Sequence, residues 1–272
     1  MRFDSAQGDK GSGWRMTAGP YAEVARALVG TAFASIRYVE DTESTNADAA
    51  ELLSAHESGG LTIVAEYQRR GLGRKGRVWH AAAGTSLLFT TILPDAVRSD
   101  RLWVVPFWAA LCVRAGLADF GVATIVQWPN DLLLGDRKIA GVLCQSSVMG
   151  ANARVACGVG INVNRWHDAA ALITPPPAFC DDVAAVDRQA LLQAILWQYE
   201  RTRSMPNDPQ RVVAAWNAAA RLPGRRYRIA LDDAAQPFDA IGEGLGNGGG
   251  LRVTRDDGTP QTISLADARV IR

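Results

Sequence analysis

Twelve consecutive residues, Gln68-Arg69-Arg70-Gly71-Leu72-Gly73-Arg74-Lys75-Gly76-Arg77-Val78-Trp79, place five cations and three glycines in their first ten positions. Glycines let a backbone approach a ligand closely, and successive N–H groups can form an anion nest. Arginines add bidentate contacts to phosphate oxygens. The segment therefore suits a polyanion such as a triphosphate, and its alternative reading is a solvated basic loop. Gly71-Leu72-Gly73-Arg74-Lys75-Gly76 also spells the glycine pattern of a dinucleotide fold, but that pattern should open a helix. Here it continues through Arg77-Val78-Trp79-His80 into more loop and another strand.

A second constellation lies at Gln127-Trp128-Pro129-Asn130-Asp131 and Lys138-Ile139-Ala140-Gly141. The pattern predicts a strand ending in polar groups, a turn at Asp136-Arg137, and a new strand from Lys138. Asn130, Asp131 and Lys138 then lie near one another across a hairpin. A carboxylate can hold Mg²⁺, and a lysine can bridge a carboxylate and a phosphate. A mouth lysine of this kind has little part in packing. Taken alone, Asn-Asp is a turn and Lys138 a surface lysine. Asn247-Gly248-Gly249-Gly250 lacks the Gly-Lys-Ser/Thr ending of a phosphate-binding loop and takes no such role.

These residues need a scaffold, and the hydrophobic pattern predicts one. Tyr21–Val29 reads as a short helix and Ile36–Val39 as a strand. Thr42-Glu43-Ser44-Thr45-Asn46 leads into a helix over Ala47–Ala55, with Ser44 or Thr45 as N-cap and Asp48 completing a capping box. Strands follow at Leu61–Tyr67 and Thr85–Leu93, then an apolar helix over Leu102–Phe120. Thr124–Trp128, Lys138–Ser147 and Arg154–Val163 read as strands, the last two as a hairpin. Asp187–Arg203 and Pro209–Arg221 read as helices. Beyond Leu222-Pro223-Gly224, short runs at Arg226–Leu231, Ala240–Gly244, Leu251–Thr254 and Thr262–Leu265 predict a small β-barrel. The organisation expected is a lead-in over 1–35, a catalytic α/β domain over 36–221 and a small barrel over 222–272.

Composition narrows the class. Apolar residues make up 48% and charged residues 21%, and the formal charge is +1, so no nucleic-acid or membrane partner is expected. The N-terminal residues carry no apolar core of a signal peptide, and the apolar runs read as shorter than a membrane span. Cys112, Cys144, Cys157 and Cys180 form no C-x-x-C pair, and His56, His80 and His167 are scattered. No zinc site or disulfide framework is expected, and free thiols fit a reducing cytoplasm.

Taken in order, Ser44-Thr45-Asn46, Gln68 with the Gly/Arg loop and Trp79, Trp-Pro-Asn-Asp with Lys138-Ile139-Ala140-Gly141, and Gly158-Val159-Gly160-Ile161-Asn162-Val163-Asn164 resemble the biotin protein ligases. The similarity spans about residues 36–272. It implies a mixed-sheet α/β catalytic domain related to lipoate ligases, followed by an SH3-like barrel. It implies that biotin's carboxylate attacks the α-phosphate of ATP, giving biotinyl-5′-AMP, and that a lysine of a biotin carboxyl carrier domain of acetyl-CoA carboxylase takes the biotin. ATP and Mg²⁺ are the implied cofactors. Ser44, Thr45, Asn46 and Gln68 match residues around the biotin rings. Leu72, Gly73, Arg74, Lys138 and Gly141 match the biotin and adenylate contacts. Arg74, Lys75, Arg77, Trp79, Asn130, Lys138 and Asn162 match the nucleotide side. Lys138 and Arg74 match the catalytic cations, and Asp131 is the candidate metal ligand.

Two positions depart from the family pattern. Leu72 stands where the loop commonly has arginine, and Gln127 where lysine is frequent. Three rival readings remain. A lipoate or octanoate enzyme shares the catalytic fold, but Ser44-Thr45-Asn46 suits the ureido group of biotin better than an acyl chain. A DNA-binding repressor needs a winged helix-turn-helix, for which about 35 leading residues are too few. The third is an inactive carrier-binding module. The oligomeric state is left open, a homodimer included.

Overall fold

The structure, a computed structural model, describes residues 17–54, 59–232, 236–265 and 268–271. His56, the first 16 residues of the expected lead-in and Ala55, the end of the helix expected over Ala47–Ala55, lie outside them. The chain begins with α1 (Ala22–Ala27), β1 (Ile36–Thr42), α2 (Thr45–Ser54) and β2 (Thr62–Gln68). A short pair follows, β3 (Gly71–Leu72) and β4 (Val78–Trp79), then β5 (Ser86–Ile92), β6 (Val97–Arg98) and α3 (Val105–Ala118). Next come β7 (Ile125–Gln127), β8 (Asp131–Leu134), β9 (Arg137–Met149) and β10 (Asn152–Asn162). Three helices close this part: α4 (Ala169–Leu172), α5 (Arg188–Thr202) and α6 (Pro209–Ala220). The last strands are β11 (Arg225–Leu231), β12 (Phe238–Leu245), β13 (Leu251–Arg255), β14 (Pro260–Ile263) and β15 (Ala268–Ile271).

The larger sheet runs β1-β2-β5-β10-β9-β8-β7, with β6 paired to β10. Only β1 and β2 are parallel, because α2 carries the chain back across the sheet between them. The remaining pairs are antiparallel, so the sheet is mixed as expected. Its two faces bury separate apolar sets. Ala49 and Leu53 of α2 pack on Leu61, Ile63, Ile92 and Ala156. The other face meets α3, α5 and α6 through Phe107, Trp108, Val113, Ile195, Tyr199 and Trp216. Helical residues Ser99–Ala118 are long and apolar enough to cross a membrane by length and composition, contrary to the shorter runs expected. Phe107, Trp108, Val113 and Leu117 of this stretch are at most 1% exposed, which makes it the central core helix here.

Residues around α1 belong to the same body, since Tyr21, Val24, Leu28 and Phe33 are buried in the main core. The smaller sheet, β14-β13-β12-β11-β15, is antiparallel throughout, as an SH3-like domain requires. It is bonded to the larger one. Trp128 donates its indole N–H to Gly249 O at 2.9 Å, and Arg225 donates to Val126 O and Gln127 Oε1 at 3.1 and 2.7 Å.

Candidate active site

The cleft lies above the middle of the larger sheet, at the N-terminus of α2, and is open to solvent. Helix α2 starts at Thr45, not Ala47, and its capping differs from the box expected at Asp48. Gln68, at the end of β2, accepts from the Thr45 amide at 2.8 Å and from Thr45 Oγ1 at 3.1 Å. The Asp48 carboxylate instead accepts from Thr42 Oγ1 at 2.9 Å. A side chain from the neighbouring strand thus satisfies a free helix-terminal N–H. Burial raises Asp48 above the usual carboxylate range, and the Thr42 hydrogen bond opposes this.

Ser44, Thr45 and Asn46 are 3–4% exposed. Thr90 of β5 donates toward Thr45 Oγ1 at 2.8 Å and Asn46 Oδ1 at 2.6 Å. Asn46 Nδ2 donates to Leu143 O at 3.2 Å. The carboxamide sits in the space above Gly158, where a Cβ would come within 1.9 Å of Asn46 Oδ1. Gly160 is equally obligatory, because a Cβ there would meet the Trp79 ring at 2.7 Å. Two buried polar atoms of the cleft, Ser44 Oγ and Trp79 Nε1, have no hydrogen-bond partner among the described residues. Buried polar groups are normally paired, so two orphans at one cleft point to a ligand with polar edges.

Lys138 closes the opposite wall. A register shift between Leu132 and Leu133 pairs Asp131 with Gly141 and Lys138 with Leu133. Lys138 then folds back over Gly141, where a Cβ would lie 3.1 Å from its Nζ. Its ammonium meets Asp131 Oδ1 at 2.6 Å and stands 5.3 Å from the Trp79 ring centroid. The Asp131 side chain is 12% exposed and that of Lys138 29%, so the pair is largely shielded. The lysine is therefore a packed member of the site, not the peripheral mouth residue expected.

The basic loop differs from the expected nest of free N–H groups. β3 and β4 pair as a tiny hairpin, and the Gly73 amide donates to Arg77 O at 2.7 Å. Its turn residue Lys75 is left-handed at φ 56° and is held by an ion pair to Asp232 at 2.5 Å. Arg74 donates to Leu265 O at 2.5 Å. Burial pulls the Arg74 guanidinium below its ordinary value, opposed by the Asp131 charge. Because the Gly73 amide serves the loop itself, the cations Arg74, Lys75 and Arg77 carry the positive charge facing the cleft.

Of the residues expected from sequence, Ser44, Thr45, Asn46, Gln68, Leu72, Gly73, Arg74, Lys75, Arg77, Trp79, Asn130, Asp131, Lys138 and Gly141 line the cleft together. Asn162 does not line it. Asn162 is buried, and its amide donates to Ala178 O at 3.1 Å, tying β10 to the following loop. Asn130 lines the cleft while its amide donates to Val142 O at 2.7 Å. Sequence reasoning missed Thr90, the glycine floor and Val270, the last contributed by the smaller sheet. Glycines at alternate positions of a strand, Gly158 and Gly160, were the available signal, since such glycines mark close approach. Nothing local marks Thr90 or Val270.

Comparison with known proteins places the chain in a family. A model of the biotin/lipoate A/B protein ligase family matches residues 38–162. The biotin–[acetyl-CoA-carboxylase] ligase of Paracoccus denitrificans is 32% identical over 240 residues, 83% of this chain and 96% of that protein. The corresponding ligase of Mycobacterium tuberculosis is 32% identical over 216 residues, 74% of this chain and 77% of that protein. The chain belongs to the biotin/lipoate A/B protein ligase family. Within it, the long matches are to proteins named as biotin ligases. A bifunctional ligase/repressor of Bacillus spizizenii is 30% identical over 175 residues, and there the match spans about half, 52%, of the relative. In fold, the chain matches a biotin protein ligase of Aquifex aeolicus solved with biotin and ATP, with TM-score 0.69 and 20% identity, covering 87% of this chain and 98% of that one.

Proposed function

We propose that this protein is a biotin protein ligase: it adenylates biotin with ATP and transfers the biotinyl group to a lysine of the carboxyl carrier domain of acetyl-CoA carboxylase. The observation that carries the reading is the pair of buried, unpartnered polar atoms, Ser44 Oγ and Trp79 Nε1, in a cleft whose far wall is Lys138. A ureido ring needs polar partners in an apolar setting, and a carboxylate needs a cation at the other end. A simple acyl chain would leave the buried polar groups unsatisfied. The same named activity in two long-matching relatives supports the reading.

In the proposed mechanism the ring lies beside Ser44, Thr45, Asn46 and Trp79; the Asn46 carboxamide and the Trp79 ring are seated over Gly158 and Gly160. The carboxylate points to Lys138. Its oxygen attacks the α-phosphate, and pyrophosphate leaves. Lys138 and Arg74 neutralise the charge gained at phosphorus, a preorganised electrostatic role that needs no protein nucleophile. The carrier lysine then attacks the mixed anhydride and AMP departs. Magnesium, entering with ATP as part of the substrate, would add charge neutralisation at the phosphates. Asp131, the one carboxylate lining the cleft among the described residues, would be the residue to hold it. No cluster of three metal-ligating side chains occurs among the described residues. The free thiols fit a reducing cytoplasm as its location.

The test is incubation with biotin, ATP and Mg²⁺, followed by native mass spectrometry. Bound biotinyl-AMP is expected, with lipoate and octanoate giving no comparable adenylate. Adenylation of lipoate in preference to biotin would assign the cleft to the acyl branch of the family.

A further inference from the structure

Cys144 of β9 and Cys157 of β10 are direct cross-strand partners, and their sulfurs are 3.3 Å apart. Residues opposite one another on an antiparallel ladder have Cα atoms about 4.5–5.5 Å apart, within the roughly 4.4–6.8 Å that a disulfide spans. The two cysteines are thus within reach of a disulfide, one small movement short of its bond length. Cys157 is fully buried, whereas Cys144 is only partly buried, so Cys144 is the more accessible of the two residues. Both side chains face the α3–α5 side of the sheet, in or against the main core. The next rung, Leu143 opposite Gly158, faces the cleft. Leu143 O receives the Asn46 amide, and Gly158 leaves the room that Asn46 fills.

We propose that Cys144 and Cys157 form a reversible redox site in which a hydroperoxide converts the two thiols into a cross-strand disulfide, and that this bond displaces the adjacent rung beneath Asn46. The consequence for the cleft rests on the biotin reading, whereas the thiol chemistry does not. The Cys144 thiolate attacks the outer peroxide oxygen, the O–O bond breaks, and an alcohol or water leaves. Cys144 becomes a sulfenic acid. The Cys157 sulfur then attacks the Cys144 sulfur, its proton leaves with the hydroxide as water, and the S–S bond forms. In total, two thiols lose two electrons and two protons, and one peroxide is reduced. Cys144, the less buried of the two, is the first site of attack and Cys157 the resolving one, since the hydrogen bond from the Cys144 sulfur and burial hold the Cys157 thiol well above its usual range. Closing the gap from 3.3 Å to a bond of about 2.05 Å draws the two strands together one residue from the Asn46 seat.

The test uses the full chain treated with hydrogen peroxide and mapped by mass spectrometry without reduction. A peptide joining Cys144 to Cys157, lighter by two hydrogens and separated again by dithiothreitol, is expected. Cys144→Ser and Cys157→Ser should each lack it. Sulfinic acid on Cys144 without the cross-link would overturn the proposal, as would two unmodified thiols at a dose that oxidises a free-cysteine peptide. Calorimetry should then show biotin bound on the order of tenfold more weakly by the oxidised chain, restored on reduction and unchanged in Cys144→Ser. A cross-link with unaltered affinity would overturn the coupling. A reduced chain that binds no biotin would count against the biotin reading alone, because the peptide map does not depend on it.

Discussion

Lys138→Ala is the perturbation that separates chemistry from packing. The wild-type ammonium is fixed by Asp131 at 2.6 Å and lies by the Trp79 ring. Two unit charges 4 Å apart interact by about 4 kcal/mol at an effective dielectric near 20. Removal of one preorganised donor slows a reaction by roughly 10²–10³-fold. The Lys138 side chain is 29% exposed, so solvent replaces part of its charge and the lower end, about 10²-fold, is expected in single-turnover pyrophosphate release. Biotin affinity should fall less, because the contacts at Ser44, Thr45 and Asn46 remain. Stability should also fall, since Asp131 is buried and loses this cation. A fully buried pair broken on one side costs about 3–5 kcal/mol, and partial exposure reduces that to about 1–2 kcal/mol. The melting temperature should drop by roughly 2–8 °C. The double variant Lys138→Ala/Asp131→Asn should recover most of the melting temperature and none of the rate. Lys138→Arg should rescue poorly, because a planar guanidinium does not fit the place over Gly141 that a compact ammonium fills. A Lys138→Ala chain that adenylates within about twofold of wild type, worth only about 0.4 kcal/mol of barrier, would refute the role given to this residue.

Ser44→Ala removes a buried hydroxyl that has no partner among the described residues. Biotin affinity should fall by roughly tenfold in calorimetry, with the melting temperature unchanged or raised, and a lower melting temperature would make the hydroxyl structural. Gly158→Ala drives a methyl into Asn46 Oδ1. It should weaken biotin by at least about tenfold while leaving the far-ultraviolet dichroism intact, and normal binding would show that Asn46 is not needed where it stands. Burial pushes the Cys112 and Cys180 thiols up to about 12 from 9.0. Both should resist Ellman's reagent at pH 8 in the native chain and react at once in denaturant. Because the folded thiols stay protonated while the unfolded ones ionise near 9, their stabilising effect is complete below pH 9 and lost as pH rises toward 12. Melting temperatures should decline across that window, less steeply in Cys112→Ala, and a flat profile would contradict the burial.

The sequence by itself determined the parts whose signal is local. The run of cations and glycines over 68–77, the strand end at Trp128-Pro129-Asn130-Asp131 and the hairpin from Lys138 to Asn162 are written in neighbouring residues, because period, turn chemistry and charge act over a few positions. The element order could be read for the same reason, with ends displaced by a few residues where caps come from elsewhere. Gln68 holding the start of α2 is such a case. What the tertiary structure decided is how distant pieces meet. Strand register puts Thr90 under Asn46, alternation turns Gly158 and Gly160 into a floor, and a bulge swings Lys138 onto Asp131. The smaller sheet reaches back to hold Arg74 and Lys75 and to add Val270 to the wall. Apart from the Lys138–Asp131 pair across its hairpin, these are contacts across 44 to 191 residues of chain. They depend on which strands pair and in what register, and no local pattern encodes that, because a side chain's type does not reveal the backbone that folding will bring opposite it.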